Sequence, residues 1–358
     1  MKKRALELKK ETVAHRRYIH GCAEVGLELP KTMAYIAQSL QDAGIEPEHC
    51  GHGLRAEIGA GEPILLLRAD ADALPNGHTC GHDCHAAMLL TAAKLLKERE
   101  SELKGTVRLM FQPAEETLSG AQDMIAHGIL EPRPHAALAF HTAAGKIPTG
   151  MALCGTEGAM MRSADNFSIT FFGKGGHGAY ASKTVDPIKM AVEAYEALPE
   201  LAVGVFRAGT AGNVIPDTAL LQGSLRLEAG REAAVKQVKE KLERIAEKHG
   251  GSVEVVCTSR TPALVCDKAL TARMAGYLKE LDLIVKDGVK AKASEDFAYV
   301  AERIPTAYFY LTCGFSDSRG DHLAHDPKVL IDEEVLPIGV AAYAHCAFKY
   351  INSLASLA

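Results

Sequence analysis

A short segment near residue 80 carries six side chains that bind metals or protons. It reads NGHTCGHDCH, and its six candidate residues fall within eight positions: His78, Cys80, His82, Asp83, Cys84 and His85. Zinc-like ions bind cysteine sulfur, histidine nitrogen and carboxylate oxygen, and catalytic sites keep one position open for water. The segment therefore favours a metal site.

Two other chemistries fit part of the same segment. Cys80 and Cys84 could form a redox pair, although their three-residue gap differs from the thioredoxin-type C-x-x-C spacing. Cys80 could also act as a nucleophile paired with a nearby histidine. Neither alternative explains the carboxylates found elsewhere in the chain, so both are weaker than metal binding.

Those carboxylates follow apolar runs that are typical of buried parallel strands. EPILLLRAD ends in Asp70 with Asp72 close behind, TVRLMFQP precedes Glu115 and Glu116, and HAALAFH ends in His141. In open α/β sheets, ligands bind at the carboxyl ends of the strands, so these groups should converge. Any one of them alone would more often be a helix cap or a solvated loop residue.

The surrounding pattern predicts the elements that position these groups. CHAAMLLTAAKLLKERE predicts a helix between the first two strands, which gives an α/β fold with a largely parallel sheet flanked by helices. Residues 164–265 change to a β-α-β-β-α-β order, typical of a ferredoxin-like α+β domain. We therefore predict a catalytic domain at 1–163 and 266–358, and an inserted domain at 164–265. The catalytic domain resumes with a helix near Leu270 and closes with one after Asp332.

Composition narrows the class of protein. The chain has 358 residues, enough for about two domains, and a formal net charge of -5, which argues against a nucleic-acid partner. The charged N-terminal segment lacks the apolar stretch of a signal peptide, and no apolar run approaches the roughly 18 residues of a membrane span. Nine scattered cysteines suit a reducing compartment, so we expect a cytoplasmic protein without membrane association.

An ordered set of motifs spans nearly the whole chain. It consists of Cys80-Gly81-His82-Asp83, Gln112-Pro113-Ala114-Glu115-Glu116, His141, Gly173-Lys174-Gly175-Gly176-His177, Asn213-Val214-Ile215-Pro216, Ser294-Glu295-Asp296-Phe297 and His325-Asp326-Pro327. This set resembles the aminoacylase and hippurate hydrolase branch of the dinuclear metallopeptidases (peptidase M20), to which auxin-conjugate amidohydrolases belong. The resemblance implies a catalytic α/β domain with an inserted lid domain.

The resemblance also implies a reaction and a ligand set. It implies hydrolysis of the amide bond of small N-acylated amino acids through a metal-bound water, with Glu115 as the general base. Two divalent ions, zinc, manganese, cobalt or nickel, would be held by five ligands: Cys80, His82, Glu116, His141 and His325. The alternative is a metallo-dipeptidase or carboxypeptidase that uses the same site.

The inserted domain contributes three further candidates. GKGGHGAYA lacks the GK[ST] ending of a phosphate loop, and the resemblance implies that His177 hydrogen-bonds the developing oxyanion. Asn213 and Arg226 match positions that hold the substrate carboxylate, to which the arginine fork is suited. The plainer interpretations are a turn residue for His177 and a solvated strand residue for Arg226. A homodimer through the lid domain is also implied.

The sequence departs from the family pattern in places that bear on substrate choice. The loop between DADALP and NGHTCGHD is unusually short, Cys84 stands where glycine is common, and Ala181 and Ser182 replace Pro-His. Cys84 could pack inertly or perturb metal preference. Glu295 and Asp296 could line the metal site or cap a helix.

Overall fold

The computed structural model describes residues 1–355, which form ten α-helices and sixteen strands. The helices are α1 Lys2–Glu7, α2 Lys9–Cys22, α3 Pro30–Asp42, α4 His82–Lys97, α5 Gly120–Ala126, α6 Pro187–Ala197, α7 Arg231–Lys248, α8 Lys268–Lys279, α9 Ala298–Ala301 and α10 Val335–Ala355. Single 3₁₀ turns lie at Glu100–Glu102, Gly178–Lys183 and Ser318–Gly320.

The strands follow the same chain order. They are β1 Pro47–Cys50, β2 Gly53–Gly59, β3 Ile64–Asp70, β4 Thr106–Gln112, β5 Ala136–Pro148, β6 Met151–Leu153, β7 Ala159–Met161, β8 Ala164–Phe172, β9 Gly176–His177, β10 Ala202–Ala208, β11 Val214–Ile215, β12 Thr218–Leu225, β13 Ser252–Thr261, β14 Leu264–Val265, β15 Ile284–Lys286 and β16 Thr306–Gly314.

The chain divides into two compact units. The first unit comprises residues 1–160, 264–290 and the chain from 296 onward, and the second comprises 161–263 and 291–295. Each unit has its own cluster of buried apolar side chains. None of the helices in residues 1–355 combines the length and apolarity needed to span a membrane.

The first unit is built on an eight-stranded mixed sheet in the order β1-β2-β4-β3-β5-β16-β6-β15. Its central strands β4, β3, β5 and β16 are parallel, as the three apolar runs predicted. Every residue of β3 and β4 is buried, which explains why their sequences are apolar at consecutive positions rather than alternating. The fold is therefore the predicted α/β type with helices flanking a largely parallel sheet.

Helix α4 places the NGHTCGHDCH segment at the carboxyl edge of this sheet. It contacts β3, α2 and α10, so it is almost entirely buried, and its middle is apolar on most faces. Gly81 precedes it with φ of +95°, a conformation that glycine adopts at low cost. The last residues of the motif thus become the first, buried turn of a core helix.

Strand β5 is longer than the sequence predicted. The apolar run predicts that the strand ends before His141, whereas β5 continues to Pro148. The continuation is possible because β16 pairs with β5 beyond the point where pairing with β3 ends, with His141 opposite Tyr310. Strand β16 therefore holds the backbone of His141 on one side.

The second unit shows the β-α-β-β-α-β order, with its main sheet arranged β10-β12-β8-β13 and antiparallel throughout. Helices α6 and α7 contribute Met190 and Leu242 to the buried apolar cluster of this unit. A separate two-stranded ribbon pairs β9 with β11.

Residues 291–295 belong to the second unit, although the sequence analysis assigned them to the catalytic domain. These residues pair with the first residues of the second unit. Met161 forms a β-bridge with Ala291, and the Arg162 amide donates to the Ala293 carbonyl at 2.9 Å. Such long-range pairing leaves no signal in a local sequence window. The predicted boundaries at 163/164 and 265/266 stay a prediction.

Candidate metal centre

The carboxylate of Asp72 shapes the turn that carries the two adjacent glutamates. Its Oδ1 accepts a hydrogen bond from the Glu115 amide at 3.0 Å, and its Oδ2 accepts one from the Glu116 amide at 3.2 Å. Ala114, just before them, has φ of +55°. The turn after β4 is thus tied to the end of β3, and both glutamate side chains start from fixed backbone positions.

His82 presents one ring nitrogen to the same place. Its Nδ1 lies 3.0 Å from the Asp72 carbonyl oxygen, which can only accept, so Nδ1 carries the proton. Its Nε2 is buried and has no hydrogen-bond partner among residues 1–355. That atom lies 3.7 Å from an Asp70 oxygen, 3.8 Å from Glu116 Oε1 and 3.9 Å from Glu115 Oε2.

His141 repeats this arrangement. Its Nδ1 donates to the Thr142 carbonyl oxygen at 2.7 Å, and its Nε2 lies 3.6 Å from the Cys80 Sγ. A histidine that donates from one nitrogen to a carbonyl keeps the lone pair of the other nitrogen for a metal ion. Both histidines, the buried His82 and the half-buried His141, are therefore held in the tautomer that ligation requires.

Asp70 and His85 lie in the same cluster of potential ligands but are committed to other contacts. The four residues whose ligand atoms lie within 4.8 Å of one another are Asp70, His82, His85 and His141. His85 donates from Nδ1 to Asp70 at 2.5 Å and accepts at Nε2 from the Thr142 amide at 2.8 Å, so it has no nitrogen left for a metal ion. Asp70 also accepts from Arg68 at 2.7 Å. These two residues support the ligands.

Thr142 joins these supporting contacts to the cysteine. Its amide and carbonyl contact His85 and His141, and its Oγ1 donates to the Cys80 carbonyl at 3.3 Å. A Cβ on Gly81 would lie only 2.2 Å from the same Oγ1. Glycine at position 81 thus allows the segment between Cys80 and His82 to approach Thr142 closely.

A second group of potential ligands consists of Cys80, Glu116 and His325, again with atoms within 4.8 Å of one another. His325 Nε2 lies 3.6 Å from Glu116 Oε1, and that oxygen is buried without a hydrogen-bond partner among residues 1–355. Cys80 belongs to this group and also faces His141. The cysteine and Glu116 therefore lie between the two groups of ligands.

His325 differs from the other candidate ligands in its surroundings. Its side chain is 56% exposed, whereas that of His82 is 1% exposed. Its φ of +74° is unfavourable for a residue with a side chain and costs about 1–3 kcal/mol. Such strain persists only where neighbouring contacts hold the backbone, and it often marks a functional position.

Burial disfavours the charged forms of three candidate ligands. It raises the pKa of the Cys80 thiol to about 12, raises the pKa of the Glu116 carboxyl, and lowers the pKa of His141 well below its usual range. Burial alone would also lower the pKa of His82, but the charges of Asp70 and Cys80 raise it well above its usual range. A divalent cation would stabilise the thiolate and the carboxylate and would bind the neutral imidazole. Together with the two buried atoms that lack partners, His82 Nε2 and Glu116 Oε1, this donor set fits metal ions.

Helix α2 anchors the same segment from behind, a role that the sequence analysis missed. Asp83 is fully buried, and its Oδ2 accepts from Arg16 Nε and from His20 Nδ1, each at 2.8 Å. Burial alone would raise the pKa of Asp83, but the His20 hydrogen bond and the Arg16 charge lower it to about 2. Asp83 is therefore a buried anchor. Its place in the first turn of α4 was the available signal.

The structure shows the surroundings of Cys84 and Asp296, whose roles the sequence left open. Cys84 is fully buried in the apolar cluster of the first unit, as inert packing requires. Asp296 is also buried, where it accepts from Gln112 Nε2 at 2.6 Å and from the Ala121 amide at 2.8 Å in the first turn of α5. Asp296 thus contacts the start of a helix, and the two interpretations of Glu295 and Asp296 stay predictions. Cys80 and Cys84 are both free thiols.

In the second unit, His177 and Asn213 lie side by side on the β9–β11 ribbon. His177 pairs with Val214, and the Gly178 amide donates to the Asn213 carbonyl at 2.8 Å. His177 Nδ1 accepts from the Ala179 amide at 3.1 Å, so its proton lies on Nε2, in an exposed side chain. The ring is thus prepared to donate a hydrogen bond.

Arg226 lies one residue beyond the end of β12. Its Nη1 donates to Ser294 Oγ at 2.6 Å, and the side chain is exposed. The sequence pattern predicted that Arg226 lies on the strand, whereas the strand ends at Leu225. The predicted catalytic and substrate-binding roles of His177, Asn213 and Arg226 stay predictions.

The fold and the site define a class of protein: a metal-dependent hydrolase with its ligands at the carboxyl edge of an α/β sheet. The model of Peptidase family M20/M25/M40 matches residues 66–349 of the chain. The chain therefore belongs to this family and is a hydrolase that acts on amide bonds.

Named relatives align with this chain over most of their length. The chain is 35% identical to IAA-amino acid hydrolase ILR1-like 2 of Arabidopsis thaliana over 95% of this chain and 85% of the relative. It is also 35% identical to N-acetyl-L-cysteine deacetylase of Bacillus subtilis (strain 168), over 92% of this chain and 85% of the relative. The solved Bacillus subtilis YXEP protein, described as a dinuclear metal binding peptidase from the M20 family, matches with a TM-score of 0.86, at 28% identity over 97% of this chain and 99% of that one.

Proposed function

We propose that this protein is an amidohydrolase of the aminoacylase type, which removes the acyl group from small N-acylated amino acids with the help of two divalent metal ions. The observation that carries the proposal is a pair of buried atoms, His82 Nε2 and Glu116 Oε1, which lie 3.8 Å apart and have no hydrogen-bond partner within residues 1–355. The names of the Arabidopsis hydrolase and the Bacillus deacetylase support this substrate class.

One ion would be held mainly by His82 and His141, and the other by Glu116 and His325, with Cys80 near both. Zinc, manganese, cobalt and nickel all accept this mixture of sulfur, nitrogen and carboxylate ligands. When bound, such ions lower the pKa of water and polarise the carbonyl of an amide. The remaining chemistry falls to the side chains around them.

Glu115 is the proposed general base. Glu116 Oε1 lies within 4 Å of both His82 and His325, and Glu115 Oε2 lies 3.9 Å from His82 Nε2. The position of Glu116 between two candidate ligands favours it as a ligand and leaves Glu115 to take a proton from the attacking water. The same carboxyl can return that proton to the departing amine, so the reaction starts and ends with Glu115 ionised.

The second unit would contribute the substrate contacts. His177 Nε2 is a suitable donor to the oxyanion that develops on the amide carbonyl, and such donors are most effective when they are preorganised. Asn213 and Arg226 would hold the free carboxylate of the amino acid. The predicted lid and homodimer roles of this unit, and the cytoplasmic location, stay predictions.

A peptidase is the second candidate function. The matching family and the YXEP protein both carry that word in their descriptions. A dipeptidase or carboxypeptidase would use the same metals, the same base and the same carboxylate contacts. The two functions differ only in the group on the acyl side of the scissile amide.

A substrate panel separates these candidates. Protein stripped with a chelator is assayed before and after addition of zinc, manganese, cobalt or nickel, with N-acetyl, N-benzoyl and longer N-acyl amino acids beside dipeptides. We expect metal-restored release of amino acid from the N-acyl compounds. Restored cleavage of dipeptides alone would favour the peptidase, and full activity in the stripped protein would contradict both.

A further inference from the structure

Residues 74–79 form a compact hairpin directly before Cys80, which we call the Asn76 hairpin. Leu74 and Gly77 pair across it through amide-to-carbonyl hydrogen bonds of 3.2 and 2.9 Å. Gly77 has φ of +102°, and the Thr79 amide donates to the Gly77 carbonyl at 2.8 Å. The hairpin is thus ordered by its own backbone contacts.

The Asn76 hairpin holds the backbone of His325 on both sides. Asn76 Nδ2 donates to the His325 carbonyl at 3.0 Å, and the His325 amide donates to the Thr79 carbonyl at 3.0 Å. Thr79 Oγ1 donates to Asn76 Oδ1 at 3.1 Å, which orients the amide of Asn76. Both backbone polar groups of His325 are therefore committed to this hairpin.

His325 needs such a restraint more than the other candidate ligands do. Its side chain is 56% exposed, so packing does not fix the ring, and its φ of +74° is a conformation that an unrestrained histidine would leave. The direction of the ring toward Glu116 thus depends on the backbone. The contacts that hold this backbone lie in a segment 246 to 249 residues away in sequence.

We infer that Asn76 is a positioning residue for the metal ligand His325, and that the Asn76 hairpin couples His325 to Cys80. This inference rests on the two-metal site of the proposed function. Because Thr79 directly precedes Cys80, one short segment sets the positions of two of the three ligands in the Cys80, Glu116 and His325 group. His82 and His141 are held by other contacts, and Asn76 acts on His325 directly but on Cys80 only through Thr79, so its effect should fall mainly on the metal position of Glu116 and His325.

The test is a two-site Co²⁺ titration of the chelator-stripped full chain by calorimetry. His325→Ala is the reference variant, because it should abolish one of the two binding constants. Asn76→Ala should weaken the same constant about 10- to 100-fold, the effect usual for contacts that orient a ligand, and leave the other within about threefold. The ligand-field absorption of the bound Co²⁺ should change for that same site.

Asn76→Asp sharpens the test and guards against a fold defect. Aspartate keeps the size of the side chain and the acceptor for Thr79, but it places an oxygen against the His325 carbonyl. It should therefore weaken the same constant at least as much as alanine does. Asn166→Ala, at an exposed position of the second unit, is the matched control and should leave both constants unchanged.

The outcomes separate this inference from the proposed function. If His325→Ala removes one ion while both Asn76 variants bind two ions as tightly as the unaltered protein, Asn76 is no positioning residue. If the Asn76 variants weaken both constants equally, the hairpin acts on general stability and the inference is also wrong. If His325→Ala itself retains two tightly bound ions, the ligand assignment fails and the inference fails with it.

Discussion

The two groups of candidate ligands are held in opposite ways. His82 and His141 are enclosed by the first unit, and each donates from its second ring nitrogen to a backbone carbonyl. His325 lies at the surface with a strained backbone that depends on two hydrogen bonds from the Asn76 hairpin. We refer to these as the buried half and the exposed half of the site.

This contrast shows two ways in which a protein can fix the orientation of a metal ligand. In the buried half, the backbone carbonyls of Asp72 and Thr142 fix the tautomers of the two rings. Hydrogen bonds among Asp70, His85 and Thr142 hold the side chains around them. In the exposed half, local backbone geometry must do the same with few contacts. The buried half should therefore tolerate single changes at its rim, whereas the exposed half should respond strongly to changes in one loop.

We expect the largest effect from substitution of the adjacent glutamates Glu115 and Glu116, which lie between the buried half and the exposed half of the site. Glu115→Gln removes the proposed base and should lower kcat about 10²- to 10⁴-fold while the protein still binds two ions. Glu116→Gln should instead lower metal affinity, because Glu116 lies near both His82 and His325. Kinetics and metal analysis of both variants check this division, and a Glu115→Gln enzyme with full activity and bound metal would refute it.

The second-largest effect is expected from substitution of Asp70, which supports the ligands of the buried half. Asp70→Asn removes the negative charge and replaces one of the two acceptor oxygens that serve His85 and the buried Arg68 with an NH2 group, so the free energy of unfolding should fall by about 3 kcal/mol. Affinity for the ion at His82 and His141 should fall about 10- to 100-fold. Denaturant unfolding and metal titration measure the two quantities.

The control for this change is Asp42→Asn, at an exposed helix end. It should alter stability by less than about 0.5 kcal/mol. Equal behaviour of the two variants would mean that the buried half does not depend on Asp70.

A smaller change tests the cysteine that both halves share. Gly81→Ala places a Cβ against Thr142 Oγ1 and adds a side chain at φ of +95°, which should cost about 1–3 kcal/mol of stability. Because Cys80 must then shift, both metal constants should weaken, in contrast to the single constant affected in Asn76→Ala. Gly276→Ala, which meets no atom within 4 Å inside helix α8, is the control.

We expect the smallest effect from substitution of Arg16, which contacts Asp83 in the first turn of α4. Arg16→Ala removes one of the two side-chain donors to Asp83 and should lower the free energy of unfolding by about 1.5 kcal/mol, with metal constants nearly unchanged. His20 continues to hold Asp83 in this variant. A marked loss of metal affinity in Arg16→Ala would show that the buried half is less independent of its surroundings than we propose.

Much of the site could be predicted because metal ligands are chemically distinctive. Cysteine, histidine and glutamate at the ends of apolar runs indicated the carboxyl edge of a parallel sheet, and the structure gathers Cys80, His82, Glu116, His141 and His325 in the first unit. The strands β3 and β4 were predictable because strands buried on both faces carry runs of consecutive apolar residues, even though the buried Arg68 and Arg108 interrupt these runs. The selection of these five residues as ligands came from the resemblance to a family, and His325 in particular follows none of the apolar runs.

The division of labour within the cluster could not be read in the same way. His82 and His85 are both histidines at the start of α4, and only the partner of each second nitrogen separates a ligand from its support. The hydrogen bond from Asn76 to His325 joins residues 249 positions apart. Local sequence determined which side chains could bind metal and which strands present them. Tertiary structure alone decided their tautomers, their supports and their exposure, because these depend on contacts between segments that are distant in the chain.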